Sequence, residues 1–249
     1  MADFTIQIAG HSLRVLSLFD STRDYCRAYL SDEEPEATVS VSREDLAAEQ
    51  ESLRQEALAE GLRPRVFPDP FLDRAVIQRK TAEFLFPQNI LLLHGSAVAL
   101  DSQGYLFTAD CGTGKSTHTR LWRQVFGPRA VMVNDDRPFL ELTASGVLLH
   151  GSPWSGKHGL DTNITVPLRG ICILQRGPVN AIAEISLSQA APMLCAQAGL
   201  WSQSTPVPER NALVMAMAER VTLWQMQCNR EPDAAVLAHA AMSNGCSQR

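Results

Sequence analysis

The chain has no apolar run approaching the ~20 residues that a membrane-spanning helix needs, so no transmembrane segment is expected. Its opening residues, Met1-Ala2-Asp3-Phe4, lack the basic and apolar stretches of a secretory signal, and the expected residence is cytoplasmic. The cysteines (Cys26, Cys111, Cys172, Cys195, Cys228, Cys246) are scattered, with no Cys-x-x-Cys pair and no Cys/His spacing of a zinc site. Neither a disulfide framework nor a structural zinc is implied. Basic residues are not in excess: 22 Lys and Arg stand against 27 Asp and Glu, a formal net charge of −5. That balance argues against nucleic acid or an anionic membrane as an electrostatic partner. Internal repeats and low-complexity tracts are absent. What remains is 249 residues, 45% hydrophobic and 20% charged, enough for one substantial core and a small appendage.

The chemistry centres on the stretch from Gly104 to Thr117. An apolar strand, Tyr105 to Thr108, runs into the loop Asp110-Cys111-Gly112-Thr113-Gly114-Lys115-Ser116-Thr117, and a helical pattern follows to Phe126. Strand, glycine-bearing loop and helix in that order make an anion site. Glycines let backbone N–H groups turn toward a phosphate, and the helix adds its positive N-terminal end. Lys115 is placed to reach the β- and γ-phosphates of a bound nucleotide, and the Ser116 hydroxyl is a natural Mg²⁺ ligand. The usual pattern has Gly five residues before Gly114, and here Ala109 stands there. A second stretch, Gly151-Ser152-Pro153-Trp154-Ser155-Gly156-Lys157, matches the glycine spacing better. The residues after it, with Gly159 and Pro167, make a poor helix, so that stretch lacks the helix terminus an anion site uses. Lys115 therefore marks the phosphate loop.

The periodicity before and after this loop predicts an α+β arrangement. Strands at 4–9 and 13–16, a helix from Asp20 through Leu30, a strand at 37–41 and a charged helix to about Glu60 form a first module. The proline-rich stretch Gly61 to Pro70 predicts a boundary, giving a small α+β module at 1–66 and a catalytic domain at 67–249. A helix at 71–86 and strands near 89–93, 97–100, 130–133, 139–143, 146–150, 168–174 and 181–187 are expected next. Residues 189–220 read as helical with an interruption from Ser204 to Pro208, and a strand at 221–227 and a helix at 233–242 close the chain.

Asp135 and Asp136 lie at the tip of the apolar strand Ala130-Val131-Met132-Val133, 20 residues beyond Lys115. Adjacent carboxylates at such a tip can divide the work, one serving a metal and the other taking a proton from an attacking hydroxyl. His94, ending an earlier apolar run, could reach the γ-phosphate region if its strand neighbours the loop's strand.

His94-Gly95-Ser96, the loop 110–116 and Val133-Asn134-Asp135-Asp136-Arg137 together resemble, in order and spacing, the motifs of HPr kinase/phosphorylase catalytic domains. The loop also resembles that of phosphoenolpyruvate carboxykinase, of the same structural superfamily. The likeness covers about residues 90–140 well and the rest only in general layout. It implies a phosphate-loop core of mixed β-sheets with flanking helices, distinct from a doubly wound sheet, and the use of ATP and Mg²⁺. It implies that Lys115 holds the phosphates, that Ser116 and Asp136 hold the metal, that Asp135 is general base and that His94 lies near the transferred group. The family is often oligomeric. Small relatives also occur beside bacterial peptide-modification enzymes that phosphorylate peptide serines, which hints at a peptide or protein acceptor.

Three features depart from the family. Ala109 replaces Gly, which it can do only with a negative φ. Cys111 replaces Ser and is expected to be an alkylation target that Mg-ATP protects. The family's Arg-rich C-terminal motif has no clear counterpart. In the loop 151–163, Trp154 could stack on a base or substrate ring, Lys157 could neutralise transferring charge, and Ser155 and His158 complete a candidate substrate-binding set. The expected activity is ATP/Mg²⁺-dependent phosphoryl transfer to a serine-type hydroxyl. The alternatives are a kinase for a free metabolite such as serine, a non-catalytic nucleotide sensor and, last, a carboxykinase-like lyase.

Overall fold

The computed structural model describes residues 1–59, 61, 63–198 and 205–244. Its backbone contacts divide the chain into Met1–Leu85 and Phe86–Arg249. The division follows a helix, Asp69–Leu85, and does not fall in the proline-rich stretch before it. That helix packs on strands and helices of the first unit, and its buried face (Leu72, Val76, Ile77, Leu85) is part of that unit's core.

In the first unit, β1 (Ala2–Ile8) and β2 (His11–Ser17) form an antiparallel hairpin, and β3 (Ala37–Ser40) joins β2 in parallel. Alternate residues Phe4, Ile6 and Ile8 are buried while Asp3 is exposed, the period-two pattern of a half-buried strand. Helices α1 (Asp20–Tyr25), α2 (Arg43–Ala59) and α3 (Asp69–Leu85) complete it. The helix expected through Leu30 stops at Tyr25 and gives way to a short 3₁₀ turn at Arg27–Tyr29. The carboxylate of Asp73, fully buried, accepts hydrogen bonds from Ser17 Oγ, Thr22 Oγ1 and the Leu18 N–H. These donors compensate its lost hydration and tie α3 to the hairpin.

The second unit is a curled mixed sheet. Its strands are β4 (Ile90–Leu92), β5 (Ser96–Leu100), β6 (Gln103–Thr108), β7 (Ala130–Asn134), β8 (Phe139–Thr143), β9 (Gly146–His150), β10 (Thr165–Arg176), β11 (Ala181–Glu184) and β12 (Thr222–Cys228). The helices are α4 (Lys115–Phe126), α5 (Leu187–Ala198), α6 (Val207–Ala218) and α7 (Asp233–Asn244). Strand β10 is the hinge of the architecture. Its first residues pair antiparallel with β9, and from Leu168 onward it pairs in parallel with β6 on one side and, from Gly170, with β12 on the other. Pro167, expected to lie before this strand, is inside it, opposite Leu148 at the antiparallel end. The sequence run 181–187 is divided between β11 and the start of α5. Of the interruption expected at 204–208, Ser204 lies outside the described residues, as does Glu60, the expected end of the charged helix.

Both faces of the mixed sheet are covered. Val98, Tyr105, Phe107, Cys172, Trp224 and Met226 pack with Leu121 and Trp122 of α4 and with Ala234, Ala235 and Ala238 of α7. The alternate residues Ala97, Ala99, Leu106, Ile171, Ile173 and Leu223 form a second core with β8, β9, α5 and α6. β5, paired on both sides and buried throughout, reads as an unbroken apolar run for that reason, whereas β7, equally apolar in sequence and expected to be central, is an edge strand that pairs only with β5 and exposes Val131. The turn between β5 and β6 places Asp101 and Ser102 at positive φ (49° and 63°), as a two-residue hairpin requires.

Candidate active site

Strand direction brings the candidate residues together. Strands β6, β10 and β12 run in parallel, β5 runs against β6, and β7 runs against β5. The ends of β6 and β7 and the start of β5 therefore share one edge of the sheet, the edge where ligands settle in open α/β sheets. The 110–116 loop, His94-Gly95 and Asp135-Asp136 all emerge there. Gly95 is required at its position: an added Cβ would lie 2.8 Å from Leu106 Cδ1 and 3.0 Å from the Phe107 carbonyl oxygen. Its N–H donates to the Asp136 carbonyl (3.0 Å), joining the β5 approach to the acidic tip.

A cavity of about 710 Å³ opens at this edge. Cys111, Gly112, Gly114, Lys115, Ser116 and Thr117 line one side, and His94, Asp135 and Asp136 face them. Asp110 and Thr113 do not line it, and the Thr113 N–H donates to the Asp110 carbonyl (3.2 Å). Gly112 and Gly114 take φ of 76° and 124°, values that exclude ordinary side chains. Ala109 is buried and is not among the residues with positive φ, so it replaces glycine without strain. Among the described residues, the backbone N–H groups of Gly112, Gly114, Lys115, Ser116 and Thr117 have no protein acceptor. The N-terminus of α4 likewise has no side-chain cap and no acid in its first turn. Donors and helix dipole are both left for an anion. Lys115 is 8% exposed and Nζ donates to the Ala109 carbonyl (3.0 Å). Burial pushes its pKa down, opposed by Cys111, Asp136 and Asp110.

A residue with no motif to mark it fixes this loop. Arg176, the last residue of β10, donates from Nε to the Thr113 carbonyl (3.1 Å) and from Nη2 to the Gly112 carbonyl. Holding those carbonyls on the β10 side leaves the loop amides free for the cavity.

The two acids are in different electrostatic states. Burial raises the pKa of Asp135, the Asp136 charge adds to that, and the Gly156 N–H donating to Oδ1 opposes it. Its Oδ2 takes no hydrogen bond from the described residues. Burial also acts on Asp136, but the His94 hydrogen bond and the charges of Arg137, His94 and Lys115 prevail and hold its carboxyl below the usual range. His94 Nε2 lies 3.3 Å from Asp136 Oδ1, and Arg137 Nε lies 3.2 Å from Oδ2. Neighbouring acids whose pKa values are pushed apart are suited to different roles.

Asn134 explains why the tip holds its shape. Fully buried, it donates from Nδ2 to the Ser152 carbonyl (2.8 Å) and accepts at Oδ1 from the N–H groups of Asp136 (2.8 Å) and Arg137 (2.6 Å). One side chain thus shapes the acidic turn and anchors the 151–163 segment. That segment is fixed further by Asp135 N–H to the Leu160 carbonyl (3.1 Å) and Thr162 N–H to the Val133 carbonyl (3.1 Å). It forms no helix, consistent with Lys157 not closing a second phosphate loop. Of its candidate substrate residues, Lys157 and His158 line the cavity and the other two do not. Trp154 is 4% exposed and packs edge-on against Phe139, so the expectation that its ring would stack on a base or substrate is corrected: its apolar surface serves the core. Ser155 donates to Asp161 Oδ2 (2.7 Å) within the segment.

Among the described residues no group of three His, Cys, Asp or Glu side chains forms a metal cage. Mg²⁺ bound to nucleotide does not require one, since phosphates, waters and one or two protein oxygens complete its shell, and Ser116 and Asp136 on one cavity fit that role. No helix among the described residues is long and apolar enough to cross a membrane.

No protein-family model matches the chain, and no curated protein matches it. Among solved structures it is similar to the Hpr(Ser) kinase/phosphatase from Coxiella burnetii, with a TM-score of 0.35 and 10% identity over 61% of this chain and 94% of that one. At that level the likeness decides nothing about chemistry, which rests on the site itself.

Proposed function

We propose that the protein is an ATP- and Mg²⁺-dependent phosphotransferase acting on a serine-type hydroxyl, carried by a peptide or protein. The observation that carries this reading is one cavity in which unpartnered loop amides and a buried lysine face two carboxylates of opposite pKa displacement. Mg²⁺, held by Ser116 and Asp136, would offset negative charge on the β- and γ-phosphates. The amides of 112–116, the α4 N-terminus and Lys115 bind and orient those phosphates. Asp135 presents its free Oδ2 to the acceptor hydroxyl, and its raised pKa makes it the better proton acceptor of the pair. The acceptor oxygen bonds to the γ-phosphorus as the bond to the ADP oxygen breaks, and the hydroxyl proton passes to Asp135. His94 orients Asp136 and borders the transferred group.

The test is transfer of labelled γ-phosphate to serine peptides and to free serine, with Lys115→Ala as control. Labelled serine that disappears in the variant is expected. Nucleotide binding without transfer to any hydroxyl would favour a sensor, and indifference to nucleotide would remove the reading altogether.

A further inference from the structure

The cavity extends beyond the groups that a triphosphate and its metal engage. On α4, Arg120 and Arg123 follow Ser116 at i+4 and i+7, so all three lie on one face, and all three line the cavity. Lys157 lines the same cavity from the 151–163 segment, and Met132 and Leu160 contribute apolar lining. Arg120, Arg123 and Lys157 are exposed, and none makes a side-chain hydrogen bond or ion pair among the described residues. In a chain of net charge −5, this cavity reverses the sign: Lys115, Arg120, Arg123 and Lys157 outnumber the two carboxylates that line it, Asp135 and Asp136.

The triphosphate does not account for them. The loop amides and Lys115 already serve it, and Arg123 stands about 10 Å along the helix axis from Ser116. The rest of a nucleotide also has its own space. A second cavity, of about 480 Å³, shares Gly114 and Thr117 with the first and opens toward Arg176, Gly177 and Asn229. The acceptor, by contrast, must enter the first cavity, because Asp135 lies there.

Resting on the phosphotransferase reading, we infer that Arg120, Arg123 and Lys157 form an acceptor subsite for a carboxylate placed close to the hydroxyl that is phosphorylated. Guanidinium groups present paired donors that match a carboxylate, and the apolar patch of Met132 and Leu160 receives the acceptor's aliphatic part. The carboxylate can come from an acidic residue flanking serine in a peptide or from the α-carboxylate of free serine. The concave site favours the flanked peptide, which can fill more of the 710 Å³.

The experiment compares a serine peptide flanked by Asp, its Asn-flanked isostere and free serine, with wild type and the Arg120→Gln/Arg123→Gln variant. Transfer is followed with labelled ATP, and peptide binding by fluorescence anisotropy with a non-hydrolysable ATP analogue. The Asp-flanked peptide is expected to have about a tenfold higher kcat/KM than the Asn isostere, through KM, and the double variant to lose that preference. Equal use of both peptides, or a preference that survives in the variant, overturns the subsite while leaving the phosphotransferase reading intact. Strong use of free serine with neither peptide labelled assigns the carboxylate to an amino acid and overturns the peptide. Tight, arginine-dependent binding of the acidic peptide without any transfer keeps the anion site and sinks the phosphotransferase reading instead. Neither binding nor transfer overturns both.

Discussion

Arg176 offers the sharpest test of how the loop is built, because it touches the loop through carbonyls on its outer side. Arg176→Ala removes two charge-assisted hydrogen bonds, to the Gly112 and Thr113 carbonyls. Such bonds reach 1.5–3 kcal/mol when buried, but this side chain is exposed, so about 0.5–1 kcal/mol each is the appropriate size. Without them the Gly112–Thr113 peptides are free to rotate, and the cost of reordering them falls on nucleotide binding. Affinity for Mg-ATP should weaken by up to about 1–2 kcal/mol, about 5–30-fold in Kd, with the melting temperature of the free protein lowered by only a few degrees. Arg176→Lys separates the clamp from simple charge: it keeps the cation but cannot grip two carbonyls, and should recover only part of the loss. The assay is isothermal titration calorimetry on all three proteins. An unchanged Kd in the alanine variant refutes the clamp; full recovery with lysine shows that charge alone matters.

The remaining predictions concern the acids, a buried histidine and a thiol. Asp135→Asn should lower kcat at least about 100-fold with little change in nucleotide Kd, and full activity in the variant would remove Asp135 as base. Because burial raises the Asp135 pKa, the acid limb of the wild-type rate profile should lie above that of an ordinary aspartate, with activity falling as pH drops through that raised value; Asp136, whose pKa is lowered, titrates below it. His118 is almost fully buried, and burial lowers its pKa from 6.5 to about 4. Its neutral form is favoured on folding, so its contribution is complete above about pH 6.5 and is lost as pH falls through about 4, with about 2 kcal/mol gone by pH 5. Urea melts should show that loss in wild type and a flatter profile in His118→Gln; identical slopes would sink the assignment. Cys111 is exposed on the cavity wall and should be alkylated more slowly with Mg-ATP bound, so equal rates with and without nucleotide would count against the site.

What the sequence could reveal of this site follows from what local pattern encodes. The loop and its helix were legible because glycine at positive φ, lysine and a hydroxyl must be consecutive to build an anion site, and consecutive residues are what a sequence displays. The acidic tip was legible because β7 is an unbroken apolar run, buried through most of its length, that ends abruptly in charge. Arg176 was not legible: its partners are more than 60 residues away, and it meets the loop only because β10 runs in parallel with β6. Asn134 was hidden for a different reason. Beside two aspartates it reads as one more turn residue, yet its buried amide both gives to Ser152 and receives from Asp136 and Arg137, which a neighbouring ionised carboxylate, an acceptor only, cannot do. Trp154 shows the reverse error, since an aromatic between glycines looks displayed until the strand that covers it is known. Sequence therefore locates the groups that would meet phosphate, while the residues that aim them become visible only through strand order. Substitution at Arg176 should accordingly disturb the site without altering any motif within it, and substitution at Asn134 should disturb it while leaving both aspartates and the loop in place.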